Sequence, residues 1–185
     1  MASEKDNMLA GELYQANDPA LVAERLHAKR LCHRYNQQPV ALDKQILAEL
    51  FGYETDAHIE APFRCDYGYT IRLGKNFYAN YNLTILDCAP VIIGDNVFVA
   101  PNVVLATAGH PVEAEPRVAG WEFAHPITIG DNVWLGANVV VLPGVRIGAG
   151  TVIGAGSVVT RDVPAGVVAV GNPCRVLRPI RTATE

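Results

Sequence analysis

No window in the 185 residues comes near the about eighteen apolar residues needed to cross a bilayer. The opening MASEKDNMLAGELYQAND also lacks the basic start and apolar core of a secretion signal. Both absences point to a cytoplasmic protein that does not associate with membranes. Basic charge is scarce as well: 15 Lys and Arg against 19 Asp and Glu give a net charge of −4 and a pI near 5.7. That excludes the broad positive field of a nucleic-acid or anionic-membrane surface, so any phosphate contact must be local. The four cysteines, Cys32, Cys65, Cys88 and Cys174, are far apart in the chain, with no CxxC pair and no histidine at ligand spacing. They read as reduced thiols rather than as a disulfide framework or a metal site. No Ser or Cys sits in a nucleophile elbow, which argues against a covalent enzyme intermediate.

What the chain has in quantity is a six-residue period. From Ile127 to Val163, ITIGDNVWLGANVVVLPGVRIGAGTVIGAGSVVTRDV, the aliphatics Ile129, Leu135, Val141, Ile147, Ile153 and Val159 recur in one register. The register extends back through Ile93, Val99 and Leu105, and earlier through Leu73, Ala79 and Ile85. This period is neither helical nor that of an alternating hairpin. It predicts an all-β repeat, a parallel β-helix in which each short strand points one aliphatic inward and three hexads, about eighteen residues, close a triangular coil. Small residues after the inward aliphatic (Gly94, Gly130, Gly136, Gly148, Gly154) fall where a Cβ would crowd a bend. Val97, Val103, Val133 and Val139 are expected on flat outer faces that further copies of the chain would bury.

Residues 1–57 read as an N-terminal helical segment. Asp18-Pro19 supplies an N-cap and first turn, Leu21, Ala28, Cys32 and Tyr35 follow at helical spacing, and that helix should end near Asn36. Leu42, Ile46, Leu47, Leu50 and Phe51 form a second apolar face, with Gly52 at the C-cap position. These helices should cover the side or end of the first coil. The repeat domain spans 58–178, followed by a tail, 179–185.

One interruption stands out. Leu105 calls for an inward residue at position 111, but the register resumes only at Ile129, which places a loop insertion at about 108–126. Repeat proteins concentrate function in such loops, and this one holds His110, Arg117, Trp121 and His125. His110 closes the strand-like ATAGH, so its base is anchored. Imidazole as a side-chain type titrates near pH 6.5, a range suited to taking a proton from a hydroxyl at neutral pH; a packing or surface role is the plainer reading. In RCDYGYTIRLGKNFYANYNLTILDC, Asp66, Asn80, Asn82 and Asp87 are poor strand formers set among Tyr67, Tyr69, Tyr78 and Tyr81, a combination suited to a carbohydrate. Asn76, Asn96 and Asn132 read instead as corner residues that tolerate a left-handed backbone.

The runs PFRCDYGYTIRLGKNFYANYNLTILD, IGDNVFVAPNVVLATAGHP, PITIGDNVWLGANVVVLPGVRIGAG and VVAVGNPCRVLR resemble the maltose and galactoside O-acetyltransferases of the hexapeptide-repeat superfamily, most closely the maltose branch. The likeness runs from GELYQANDPAL to Arg178. It implies a left-handed parallel β-helix, a homotrimer with sites between subunits, acetyl-CoA as co-substrate, a small sugar acceptor and no metal. By the same resemblance His110 corresponds to the catalytic base and Asn80 to the residue that orients the acceptor. Asp18, Asp66 and Tyr78 correspond to acceptor contacts, Ala137 and Ala155 to backbone contacts of the pantetheine arm, and Thr160, Arg161, Arg175 and Arg178 to residues near the nucleotide phosphates. Cys88 stands where the galactoside branch has an acidic contact, and Glu122 where it has an apolar one. A same-fold transferase acting on a galactoside, an amino sugar or another small hydroxyl or amine acceptor, a hexapeptide-repeat carbonic anhydrase and a trimeric scaffold remain the alternatives.

Overall fold

Each hexad forms a strand of only two or three residues and a corner, and the strands stack into three parallel faces of a left-handed prism. The structure, a computed structural model, describes residues 2–38, 40 and 42–181; the last four residues of the tail lie outside them. The first face stacks His58–Ile59, Tyr78–Ala79, Phe98–Val99, Trp134–Leu135, Val152–Ile153 and Val167–Val170. It is closed by Arg175–Pro179, which pairs antiparallel with Val167–Val170. The second face stacks Arg64–Cys65, Thr84–Leu86, Val104–Ala106, Val140–Val141 and Val158–Val159, and the third Ile71–Leu73, Val91–Ile93, Ile127–Ile129 and Arg146–Ile147.

The hexad register is the pairing register. Ile93 pairs with Ile129 and Ile129 with Ile147, Val99 with Leu135 and Leu135 with Ile153, Leu105 with Val141 and Val141 with Val159. Aliphatics therefore stack along the axis, and nearly all of them are out of solvent. Coil length departs from expectation: Ile59 pairs with Ala79 and Cys65 with Ile85, so the early coils take twenty residues, and eighteen suffice only from Ile129 onward. The two extra residues fall at the corner between the second and third faces.

Val97, Val103, Val133 and Val139 do not lie on the outer faces; all four are fully buried. Each sits at a corner two residues before the inward aliphatic and also points into the prism, so a hexad supplies two interior side chains rather than one. The outside of the first face carries Tyr78, Phe98 and Trp134 instead, with Phe98 and Trp134 more than half exposed.

Glycine after the inward aliphatic is required by the neighbouring coil. A Cβ at Gly136 would lie 2.6 Å from the Ala155 backbone nitrogen, and one at Gly148 2.3 Å from that of Ala165. We expect Gly148→Ala to destabilise the fold by about 1–3 kcal/mol, as overpacking against backbone does. Chemical denaturation checks this; an unchanged midpoint would mean the coils can slide apart at no cost. Asparagine holds the other corners: Asn76, Asn96 and Asn132 have φ of 55°, 56° and 58°. Their amides form a ladder, Asn76 to Asn96 at 2.9 Å and Asn96 to Asn132 at 3.1 Å.

Three helices precede the prism: α1 (Glu4–Ala10), α2 (Pro19–Asn36) and α3 (Lys44–Phe51). Asp18 caps α2, accepting from the Ala20 and Leu21 N–H groups, and Pro19 occupies its first turn. The α2 face of Leu21, Ala28, Leu31, Cys32 and Tyr35 is buried. The Tyr35 hydroxyl donates to the Ile59 carbonyl, and the Asn36 side chain exchanges hydrogen bonds with the Phe63 backbone at 2.8 and 2.9 Å. These contacts dock α2 on the side of the first coil. Ile46, Leu47, Leu50 and Phe51 bury α3, and Gly52 ends it with φ 75°. Leu42 precedes α3 rather than belonging to it.

Candidate functional site

The corner that holds the two extra residues is also where the chain leaves the prism, and a buried carboxylate organises it. Asp87 is fully buried, and its oxygens accept from the backbone N–H groups of Asp66 and Tyr67 at 2.9 Å and Gly68 at 2.7 Å. The Thr70 hydroxyl lies 2.6 Å from both the Asp87 carboxylate and its carbonyl oxygen. Burial pushes the Asp87 carboxyl up while these donors pull it down, with burial prevailing. One coil on, the Thr107 hydroxyl donates to the Leu86 carbonyl at 2.6 Å and accepts from the Ala89 N–H at 2.9 Å. Three successive coils are thereby joined at one edge.

From Thr107 the loop folds as a small antiparallel sheet, in which Ala108–Gly109 pairs with Phe123–Ala124 and Trp121–Glu122 with Gln15–Tyr14. A short helix, α4 (Ala114–Val118), lies between its strands. A two-residue strand has no period of its own, so Tyr14–Gln15 is invisible in the sequence. Its consequence is a second, smaller core of Met8, Tyr14, Ala16, Leu21, Tyr67, Cys88, Ala89 and Ala124 beneath the loop.

His110 stands one residue beyond Gly109 with its side chain 55% exposed, and its Nε2 is 3.9 Å from Glu122 Oε1. That is within reach of charge attraction and longer than a hydrogen bond. The other Glu122 oxygen accepts from the fully buried Tyr14 hydroxyl at 2.8 Å, and burial drives the Tyr14 phenol upward. Cys88 donates its S–H to Asp66 Oδ2 at 3.7 Å. Burial pushes the Cys88 thiol up to about 12, so it is a neutral donor and a poor nucleophile. Burial, then the Asp87 charge, also raises the Asp66 carboxyl. Arg25 of α2 ties the floor together by donating to the Tyr67 hydroxyl at 2.7 Å and to the Ala16 carbonyl.

The residues singled out in the sequence divide between two edges of the prism. Asp66, Thr160 and Arg161 follow strands of the second face, and His110 follows Ala108–Gly109 in the loop that leaves the same edge. Asn80, Ala137 and Ala155 follow strands of the first face, stacked by bonds from Asn80 N–H to Val99 O, Gly136 N–H to Ile153 O and Gly156 N–H to Ala137 O. Tyr78 lies on the outside of the first face, its ring 5.3 Å from that of His58 and 6.3 Å from that of Phe98. Among the described contacts of one chain, none joins Asn80 or Tyr78 to His110. Asn80 accepts from the Tyr81 N–H at 2.7 Å, and Asp18 serves as a helix cap as well as a candidate contact. Two polar candidates prove structural: Asp87 is the buried clamp, and Asn82 is a corner residue with φ 65° that donates to Asn102.

Arg175 and Arg178 are exposed on the closing strand. Arg178 flanks a groove of about 770 Å³ on the first face with Trp134, Val152, Val168, Ile180 and Arg181. An apolar floor rimmed by arginines suits a ligand with an apolar arm and phosphates. No helix among the described residues is long and apolar enough to cross a membrane.

The family model "Maltose acetyltransferase hexapeptide capping motif" matches residues 7–53, and "Bacterial transferase hexapeptide (six repeats)" matches 126–161. The galactoside O-acetyltransferase of Escherichia coli is 47% identical, over 95% of this chain and 88% of that protein. A maltose O-acetyltransferase structure from Clostridium difficile superposes with a TM-score of 0.93 at 48% identity, covering 98% of this chain and 99% of that one. A galactoside acetyltransferase in complex with coenzyme A gives 0.92 at 45% identity, covering 98% and 92%. With the hexad prism, the helical cap and the loop histidine, these likenesses establish that the chain belongs to the acetyl-CoA-dependent hexapeptide-repeat acetyltransferases.

Proposed function

We propose that the protein, as a homotrimer, transfers the acetyl group of acetyl-CoA to a sugar hydroxyl, the 6-hydroxyl of glucose or of a glucosyl unit in maltose. The observation that carries this reading is the position of His110. It is anchored by a strand pair at the one edge where Asp66, Cys88 and Glu122 converge. A sugar hydroxyl is a weak nucleophile, and His110 takes its proton as the oxygen attacks the thioester carbonyl carbon. A backbone N–H steadies the oxyanion of the tetrahedral intermediate. When that intermediate collapses, the C–S bond breaks and His110 returns the proton to the departing thiolate. No acyl-enzyme forms, in keeping with the unreactive state of Cys88.

Asn80, which follows a first-face strand, and Tyr78, on the outside of that face, reach the acceptor from a neighbouring subunit; no described contact within one chain joins either to His110. Holding the two substrates between subunits supplies the proximity contribution. Asp18 and Asp66 hold the ring. Ala137 and Ala155 present backbone groups to the pantetheine arm, and Thr160, Arg161, Arg175 and Arg178 meet the nucleotide phosphates. Cys88 replaces an acidic partner with a thiol, which favours a glucosyl acceptor over a galactoside because the matching hydroxyl gains no strong acceptor. Arg161→Ala or Arg178→Ala should raise the KM for acetyl-CoA roughly tenfold, the size of one charge-assisted contact of about 1.5 kcal/mol. The KM for sugar should stay nearly unchanged; an equal loss toward both substrates contradicts the assignment.

A further inference from the structure

Cys32 and Cys65, 33 residues apart in sequence, stand with their Sγ atoms 3.7 Å apart. Cys32 belongs to α2 and Cys65 to the first strand of the second face, so the contact joins the helical cap to the prism. Neither takes part in the cluster around His110. Both line a cavity of about 560 Å³ between α2 and the second face, together with Lys29, His33, Arg64 and Asp66. The cavity gives a small oxidant a route to the sulfurs, and the Lys29 and Arg64 charges beside it favour a thiolate there.

The approach of the two sulfurs is held from both sides. One turn beyond Cys32, the Asn36 amide is locked to the Phe63 backbone, two residues before Cys65, and Tyr35 is tied to Ile59. A disulfide needs the sulfurs at about 2.05 Å, so closure calls for a shift of less than about 2 Å between elements already docked. The two thiols share one S–H···S contact in which either can donate; it holds the Cys32 thiol below its ordinary range against the upward push of burial, and the same contact together with burial pushes Cys65 up.

We propose that Cys32 and Cys65 form a reversible disulfide, closed by hydrogen peroxide, that straps α2 to the first coil. The Cys32 thiolate attacks a peroxide oxygen, the O–O bond breaks, and hydroxide leaves and takes up a proton as water, so Cys32 becomes a sulfenic acid. The Cys65 sulfur then attacks Cys32 Sγ while its proton goes to the departing oxygen. The S–S bond forms, the S–O bond breaks and a second water leaves. The two thiols lose two electrons and the peroxide gains them. A dithiol reverses the bridge by exchange.

The full-length native protein is treated with hydrogen peroxide, alkylated with N-ethylmaleimide in denaturant and digested without reductant. The expected result is a linked peptide pair containing Cys32 and Cys65, with Cys88 and Cys174 still alkylated and the link lost on prior treatment with dithiothreitol. In Cys65→Ser, dimedone should label Cys32 and no linked pair should form. Oxygen addition at Cys32 without a linked peptide, linkage of other cysteines, or alkylation of all four thiols after peroxide would each overturn the proposal.

Discussion

His110→Ala should lower kcat by a factor of about 10²–10⁴, the usual contribution of a positioned general base, while denaturation and oligomeric state stay as in the parent protein. The fold should tolerate the change because the His110 side chain is half exposed and its described polar neighbour is Glu122 at 3.9 Å. The strand that aims it is held by backbone pairing of Ala108 and Gly109 with Ala124 and Phe123, which the substitution leaves alone. A loss confined to kcat, with the acetyl-CoA KM within a few-fold, identifies a group that acts in the transition state rather than in binding. Near-normal turnover in the variant would move the base elsewhere, and the remaining loop histidine, His125, would be the next to test.

Asp87→Ala carries the largest expected stability effect. Removing this carboxylate leaves the N–H groups of Asp66, Tyr67 and Gly68 and the Thr70 hydroxyl without the side-chain acceptor they share in a buried corner. An unsatisfied buried donor costs about 1–3 kcal/mol, and the Thr70 hydroxyl keeps the residue-87 carbonyl as acceptor, so the three orphaned N–H groups set a loss of roughly 3–5 kcal/mol after partial relaxation. Asp87→Asn should fall between, since its one amide oxygen can keep the Asp66 and Tyr67 bonds. The corner also positions Asp66 and Cys88, so acetyl transfer should weaken even where the variant still folds. Urea denaturation combined with amide exchange at residues 66–68 checks both parts; an unaltered midpoint would mean the clamp is dispensable.

The prism was legible because a hexad places its aliphatics by period alone, and Ile129, Leu135, Val141, Ile147, Ile153 and Val159 stack as the spacing requires. The helical cap was legible through its caps: Asp18-Pro19 at one end and Gly52 at the other are local chemistry. The period could not separate the two buried positions within a hexad, and so Val97, Val103, Val133 and Val139 read as outward. Nor could it anticipate the twenty-residue coils, because the extra corner residues around Asp87 serve a hydrogen-bond network closed through space. Asp87 and Asn82 read as sugar contacts for the same reason, since polarity in a strand-rich stretch does not reveal whether its partner is a ligand or the next coil. Cys32 and Cys65 meet only because α2 folds back on the first coil, and Tyr14 reaches Glu122 only because two short strands far apart in sequence pair.

The acceptor assignment is tested most directly by the product. Purified protein is incubated with acetyl-CoA and, separately, glucose, maltose and a β-galactoside, while CoA release is followed and the sugar is analysed by NMR. The expected result is stoichiometric CoA and 6-O-acetylated sugar, with a higher kcat/KM for glucose or maltose than for the galactoside. CoA release without an acetylated sugar, or a preference of about tenfold or more for the galactoside, would contradict it.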